Sequence, residues 1–214
     1  MLALKNVSLT LNGEMLLQSF SLEIAAGEIV ILMGPSGSGK SSLLSFIGGD
    51  LDPNFQATGE IILNGAMLND VPPHQRHIGR LFQDDLLFPH MTVGENLLFA
   101  IPRMPQAERL AMMRTALERA ELAGYEDRPP HTLSGGQRAR VALMRTLLAK
   151  PEAILLDEPF NKLDTKLRAS VRDYTFAHIA TRNIPALLVT HDIADAPKKG
   201  RILIITDNGQ VQNA

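Results

Sequence analysis

A nine-residue stretch, GPSGSGKSS at Gly34–Ser42, restricts the possible folds of this chain more than any other feature. It fits the pattern G-x-x-x-x-G-K-[ST] and directly follows EIVILM, an apolar run typical of a buried parallel strand. Glycines let backbone N–H groups converge on an anion, and a helix N-terminus adds a partial positive charge. The stretch therefore predicts a phosphate-binding loop between that strand and a helix over Lys40–Ile47.

The side chains of this loop indicate how it would hold ATP and Mg²⁺. Lys40 can reach the β- and γ-phosphates, and the Ser41 hydroxyl can ligate Mg²⁺. The flanking strand and helix argue against a merely flexible Gly/Ser loop. We expect nucleotide contacts from all nine residues: Gly34, Pro35, Ser36, Gly37, Ser38, Gly39, Lys40, Ser41 and Ser42.

Three later apolar runs, AILLDEP, PALLVTH and RILIIT, predict further buried strands. Helical segments alternate with the strands, among them Lys166–Ile179, and this alternation predicts a parallel sheet with covered faces. Two half-alternating runs at the start, ALKNVSL and FSLEI, predict an additional antiparallel sheet. The fold class is therefore α/β, of the P-loop nucleoside triphosphatase type.

The middle of the chain has a different pattern. From Gly94 to Leu148 it is helical, and its apolar spacing predicts a helix over Arg109–Ala123 that Gly124 ends. We interpret 85–148 as a helical subdomain inserted into one domain that spans 1–214.

Acidic residues and a histidine stand where two of the predicted strands end. Asp157 and Glu158 close AILLDEP, at the sheet edge where α/β folds bind ligands. Asp157 would bind Mg²⁺ directly or through water, and Glu158 would polarise a water for attack on the γ-phosphate. His191 follows LLVT, so it could contact the γ-phosphate or hold that water.

A second anion site is predicted by LSGGQ at Leu133–Gln137. Ser134 suits a helix N-cap, and Gly135 and Gly136 allow close backbone approach. One triphosphate rarely needs two such sites in one fold. A symmetric head-to-tail pair solves this, because each turn then caps the ATP on the partner's loop.

Composition limits the partners. The net charge of −2 carries no basic excess for nucleic acid, and the absence of cysteine suits a reducing compartment. No apolar run approaches the roughly 18 residues of a membrane span, so any membrane role would require a partner protein.

Taken together, these elements resemble the ATP-binding subunit of an ABC transporter, in the family's order and over nearly the whole chain. The resemblance implies ATP sandwiched in a homodimer, with Ser134, Gly135, Gly136 and Gln137 on the nucleotide. It implies that Gln83, in RLFQDD, touches Mg²⁺ or the attacking water and senses the membrane partner. Asp164, in FNKLD, would communicate across the dimer.

The segment FQDDLLFPHMTVGENLLFA looks most like bacterial importers of the sulfate, polyamine, iron or thiamine neighbourhood. This likeness implies integral membrane permease subunits as partners, an extracytoplasmic solute-binding protein indirectly, and a peripheral place on the cytoplasmic face of the inner membrane. Apolar Leu86, Leu87, Phe88 and Met91 would suit a permease helix, or they are simply buried. The alternative function is a non-transport ABC ATPase in DNA repair or at the ribosome.

Some positions depart from the family pattern. Leu11 stands where an aromatic residue usually stacks on adenine, which predicts weak discrimination between ATP and GTP. Asn161-Lys162-Leu163 precedes Asp164, where the family more commonly has Ser-Ala-Leu. Lys162 puts a positive charge near the dimer seam, where it either alters dimer stability or is solvated; we expect it to be solvated, like Arg138 and Arg145. The chain stops soon after NGQV, from which we expect no C-terminal regulatory domain.

Overall fold

The computed structural model describes residues 1–197 and 200–214 and confirms the predicted α/β fold. The strands in the described residues are β1 (Leu2–Leu11), β2 (Glu14–Ile24), β3 (Ile29–Met33), β4 (Phe55–Leu63), β5 (Ala66–Met67), β6 (Ile78–Leu81), β7 (Ala153–Asp157), β8 (Ala186–Val189), β9 (Arg201–Ile205) and β10 (Val211–Asn213). The α-helices are α1 (Lys40–Gly48), α2 (Val93–Ala100), α3 (Gln106–Arg119), α4 (Gly135–Leu148) and α5 (Thr165–Arg182).

The strands form two sheets. One has the order β2-β1-β4-β5 with antiparallel neighbours, which confirms the predicted N-terminal sheet and adds β4 and β5. The other has the order β10-β9-β3-β8-β7-β6, in which β3 is parallel to β8 and β9, and β7 is parallel to β8. The carboxyl ends of β3, β8 and β7 therefore meet at one edge of this sheet.

The central strands are buried on both sides, as uninterrupted apolar runs predict. Every residue of β7 is buried, and so are the first four of β3. Leu32 of β3 and Leu155 of β7 join Leu43 and Leu44 of α1 in one hydrophobic core. This packing fixes α1, and with it the loop that precedes α1, against the sheet.

The helices follow the predictions with one correction. The helix that follows the phosphate loop begins at Lys40 as predicted, and the middle of the chain is helical. The helix predicted over Arg109–Ala123 instead spans Gln106–Arg119. It ends a turn before Gly124 because Glu121 has a φ of 52°, outside the helical region.

The chain divides into two compact units. The first comprises Met1–Arg80, Glu152–Glu158 and Ile179–Ala214, and the second comprises Leu81–Pro151 and Pro159–His178. The boundaries 85–148 inferred from sequence fall inside the first segment of the second unit.

None of the helices in the described part of the chain is both long and apolar enough to cross a membrane.

Candidate nucleotide-binding site

The predicted phosphate loop lies between the end of β3 and the start of α1, in the first unit. Gly34, Gly37 and Gly39 have φ values of 151°, 80° and 87°, where side chains are disfavoured. A Cβ on Gly34 would lie 2.8 Å from the Ile205 carbonyl oxygen. No side chain caps α1, so the N–H groups of its first turn are left for a ligand.

Lys40 points back into this loop. Its Nζ donates to the carbonyl oxygens of Gly34 at 2.9 Å and Pro35 at 2.6 Å. Burial lowers the pKa of the Lys40 ammonium, while the nearby charges of Glu158 and Asp157 raise it. The structure thus brings the loop lysine and the acidic strand end into one electrostatic environment, as the sequence predicts.

Glu158 and His191 are hydrogen-bonded partners at the edge of the sheet. His191 Nδ1 lies 2.9 Å from Glu158 Oε1, and the Glu158 side chain is mostly buried whereas the His191 side chain is exposed. Glu158 follows β7 with a φ of 50° and donates its N–H to the Val189 carbonyl oxygen at 3.0 Å. This backbone geometry turns the carboxylate away from the strand, toward the end of β8.

The two acidic side chains at the end of β7 are both largely buried. Glu158 Oε2 is buried without a hydrogen-bond partner among the described residues, and Asp157 is 5% exposed at the end of β7. No cluster of three or more His, Cys, Asp or Glu side chains suited to a metal occurs in the described ranges 1–197 and 200–214. Mg²⁺ takes carboxylate oxygens, waters and phosphate oxygens as ligands, and its predicted place at Ser41, Gln83 and Asp157 stays a prediction.

The loop that carries His191 has a support that the sequence does not indicate. Thr190 Oγ1 donates to Asp195 Oδ2 at 2.8 Å, and the Asp192 N–H donates to Thr190 Oγ1 at 3.1 Å. Thr190 and Asp195 are almost wholly buried. The spacing of five residues between them resembles no capping motif, so only the folded loop reveals the pair.

The turn at Ser134–Gln137 lies in the second unit and begins α4, where Ser134 is the predicted N-cap. Ser134 Oγ accepts from the Gln137 N–H at 3.3 Å, and Gln137 Oε1 accepts from the Ser134 N–H at 2.8 Å. These reciprocal bonds form a capping box that holds the turn rigid. Gln137 therefore has a structural task in addition to its predicted place at the nucleotide.

The two glycines of this turn serve different needs. A Cβ on Gly135 would meet only Arg138 Nη2, at 3.8 Å. A Cβ on Gly136 would lie 2.7 Å from the Lys162 carbonyl oxygen, closer than real Cβ atoms approach. Gly135 is thus open to a ligand, whereas Gly136 is required by packing within the unit.

Gln83 and Asp164 also lie in the second unit, and both are exposed. Asp164 Oδ1 accepts from the Leu167 N–H at 3.1 Å, at the start of α5. The carbonyl oxygen of Gln83 accepts from Lys162 Nζ at 2.9 Å. The roles of Gln83 and Asp164 at the nucleotide stay predictions.

Lys162 is exposed, as expected, but it is also paired, whereas Arg138 and Arg145 are partly buried and the expectation that they are solvated is wrong. Lys162 Nζ lies 3.1 Å from Asp85 Oδ1, and Arg138 Nε lies 3.2 Å from Asp85 Oδ2. Arg145 covers the Phe88 ring at 5.3 Å, and burial lowers the pKa of its guanidinium. All three cations have partners because a mostly buried carboxylate and an aromatic ring lie within their reach.

The apolar residues after Gln83 are not simply core. Leu86 is 56% exposed and Phe99, on α2, is 63% exposed. Leu87, Phe88 and Met91 are partly buried. An exposed apolar surface of this kind on the second unit is the feature expected of a docking site.

The parallel sheet carries a phosphate loop after β3 and an acidic pair at the end of β7. This combination defines a P-loop nucleotide-binding protein. The family model described as ABC transporter matches residues 17–161. The chain belongs to the ABC transporter family.

Two relatives and one solved structure show the range of the similarity. The ABC transporter ATP-binding protein YnjD of Escherichia coli (strain K12) is 48% identical over 204 residues, which cover 95% of this chain and 94% of that protein. The spermidine/putrescine import ATP-binding protein PotA of Clostridium novyi is 37% identical over 98% of this chain, which spans only 60% of PotA. The ATP-binding cassette MJ0796, solved as a dimer bound to ADP and Pi, superposes with a TM-score of 0.86 at 33% identity, covering 100% of this chain and 98% of that one.

Proposed function

We propose that this protein binds and hydrolyses ATP to power a membrane transporter, most specifically a bacterial solute importer. The main support for this proposal is that Lys40, Asp157, Glu158 and His191 are grouped in the first unit, beside a loop with the geometry of a phosphate-binding loop. The similarity to PotA, named as an import ATP-binding protein, supports the importer branch.

Each residue of the first unit has a distinct task in this proposal. The loop Gly34–Ser42 binds the phosphates, and Lys40 exchanges its bonds to loop carbonyls for bonds to phosphate oxygens. Ser41 and Asp157 hold Mg²⁺, which neutralises charge on the phosphates. Glu158 accepts the proton of the attacking water, and His191 orients Glu158.

The second unit supplies the partner's half of the site. The turn at Ser134–Gln137, with its open Gly135, caps the ATP of a second copy, so that two nucleotides are enclosed in a head-to-tail homodimer. The dimeric MJ0796 structure, at 33% identity, supports this arrangement. Gln83 would contact Mg²⁺ or the attacking water and sense the membrane partner, and Asp164 would communicate across the dimer.

The membrane partners are integral permease subunits, which would dock on the exposed apolar surface that includes Leu86 and Phe99. A solute-binding protein would act through the permease and not on this chain. The protein would then lie peripherally on the cytoplasmic face of the inner membrane.

Affinity capture tests this proposal. Glu158→Gln protein with ATP is used as bait in detergent-solubilised host membranes, and the captured proteins are identified by mass spectrometry. We expect an integral membrane permease, absent when the bait also carries Lys40→Ala. Recovery of ribosomes or DNA-repair factors in place of a permease would overturn the transport role and favour a non-transport ABC ATPase.

A further inference from the structure

Asp85 is the meeting point of two cations in the second unit. Its carboxylate accepts from Lys162 Nζ at 3.1 Å and from Arg138 Nε at 3.2 Å, one cation on each oxygen. Its side chain is only 13% exposed, against 33% for Lys162 and 38% for Arg138. A mostly buried carboxylate with both oxygens in charge-assisted bonds is held more firmly than an exposed ion pair.

Lys162 makes contacts through both its backbone and its side chain. Its carbonyl oxygen packs against Gly136, where a Cβ would come within 2.7 Å. Its Nζ reaches the Gln83 carbonyl oxygen at 2.9 Å as well as Asp85. One residue therefore connects three segments that are far apart in sequence: the segment after Gln83, the Ser134 turn and the segment that precedes Asp164.

We propose that Lys162, acting with Asp85, is a positioning residue that makes Gln83, Asp164 and the Ser134 turn move as one body. The inference rests on the proposed ATPase function and deepens it. A side chain without an amine at position 162 would have no donor for the Gln83 carbonyl oxygen or the Asp85 carboxylate. The coupling thus belongs to this chain's own side chains.

A positioning role and a plain structural role predict different kinetics. A structural tie would lower the melting temperature and reduce the active fraction. A positioning tie would slow turnover at saturating ATP, because the residues that respond to nucleotide would no longer reach their places together. ATP binding to the phosphate loop would be retained, since the Lys162 ammonium bonds to Gln83 and Asp85 in the second unit, and the loop belongs to the first.

The experiment compares Lys162→Met, Asp85→Asn, their double variant and Lys162→Arg with the wild type. Lys166→Met, an exposed lysine at the start of α5, is the matched control. We measure kcat and KM for ATP by phosphate release, and the melting temperature of each variant. We expect Lys162→Met to lower kcat about tenfold with KM changed less than about twofold, because it removes charge-assisted bonds made to Gln83 and Asp85.

Two further results are expected from the same set. Lys162→Arg should recover most of kcat, since it keeps the charge and the donors. The double variant should slow turnover by clearly less than the product of the two single effects, because both variants remove the contact between Lys162 and Asp85. Lys162→Arg and Asp85→Asn keep the test available if Lys162→Met does not fold.

The inference is overturned if Lys162→Met retains the kcat of Lys166→Met. It is equally overturned if kcat falls only in proportion to lost folded protein, or if the double variant shows independent, multiplied effects. An inactive wild type would overturn the proposed ATPase function and the inference with it. If the wild type hydrolyses ATP and Lys162→Met does so equally fast, the inference is overturned, but the proposed ATPase function stands.

Discussion

Glu158 and His191 form a direct pair, with 2.9 Å between Oε1 and Nδ1, while Glu158 Oε2 is left buried and unpartnered among the described residues. One oxygen of the carboxylate is thus oriented by the histidine, and the other has no hydrogen-bond partner among the described residues. This division suits a general base whose direction is fixed before the nucleotide arrives.

Glu158→Gln should keep ATP binding and lose hydrolysis. The amide is nearly the same size and can still bond to His191, but it cannot accept a proton. We expect kcat to fall by about 10²- to 10⁴-fold, the typical contribution of a general base. Phosphate release measures kcat, and size-exclusion chromatography with ATP should show a stable dimer.

The matched control for that variant is Glu60→Gln, an exposed glutamate on β4. It should have wild-type turnover. Near-normal hydrolysis in Glu158→Gln would contradict the role assigned to this carboxylate.

Lys40→Ala should abolish productive nucleotide use. The variant removes the ammonium that fills the loop beside the Gly34 and Pro35 carbonyl oxygens. Titration with a fluorescent ATP analogue and phosphate release should both show loss, with the circular dichroism spectrum unchanged. Lys5→Ala, at an exposed position on β1, should behave as wild type, and ATPase activity preserved in Lys40→Ala would refute the assignment of the loop.

Gly135→Ala and Gly136→Ala should separate function from packing. The Gly136 variant forces a Cβ against the Lys162 carbonyl oxygen, so it should lose about 1–3 kcal/mol of stability. The corresponding drop in melting temperature is roughly 2–12 °C for a chain of this size. The Gly135 variant should melt like wild type and yet hydrolyse ATP more slowly, because its Cβ faces the predicted partner nucleotide.

Equal melting temperatures for the two variants would show that the contact with Lys162 does not constrain the turn. Wild-type ATPase in Gly135→Ala would show that this open glycine does not face a nucleotide.

Leu11 should leave the protein weakly selective between ATP and GTP. An aromatic ring stacked on a base contributes about 1–3 kcal/mol, and leucine lacks that π face. We expect the kcat/KM ratio of ATP to GTP to stay within about tenfold, and Leu11→Tyr to strengthen binding of both nucleotides. A strong preference of the wild type for ATP over GTP would contradict this prediction.

The sequence predicts the fold and the position of the phosphate loop between β3 and α1 well, because those features are local or periodic. Buried parallel strands appear as apolar runs, and the phosphate loop is one continuous pattern between a strand and a helix. The predicted end of α3 at Ala123 is wrong because Glu121, before Gly124, already has a positive φ. A non-glycine residue with positive φ carries no strong sequence signal.

The contacts of Lys162 could not be predicted for a different reason. Its carboxylate partner Asp85 is 77 positions away along the chain. A lysine in a polar loop is usually solvated, and only the folded second unit shows that a carboxylate and a carbonyl oxygen lie within reach. The same applies to Arg138, whose place on an apparently exposed helix face gave no hint of Asp85.

The contact at Gly136 has a consequence for which sequences this turn accepts. The atom that excludes a side chain there belongs to the backbone of Lys162, so every residue type at position 162 presents the same obstacle. In a library randomised at positions 135, 136 and 162 and selected only for folded protein, position 136 should remain glycine whatever is chosen at 162. Position 135 should diversify freely under that selection and return to glycine only when survival depends on ATP turnover.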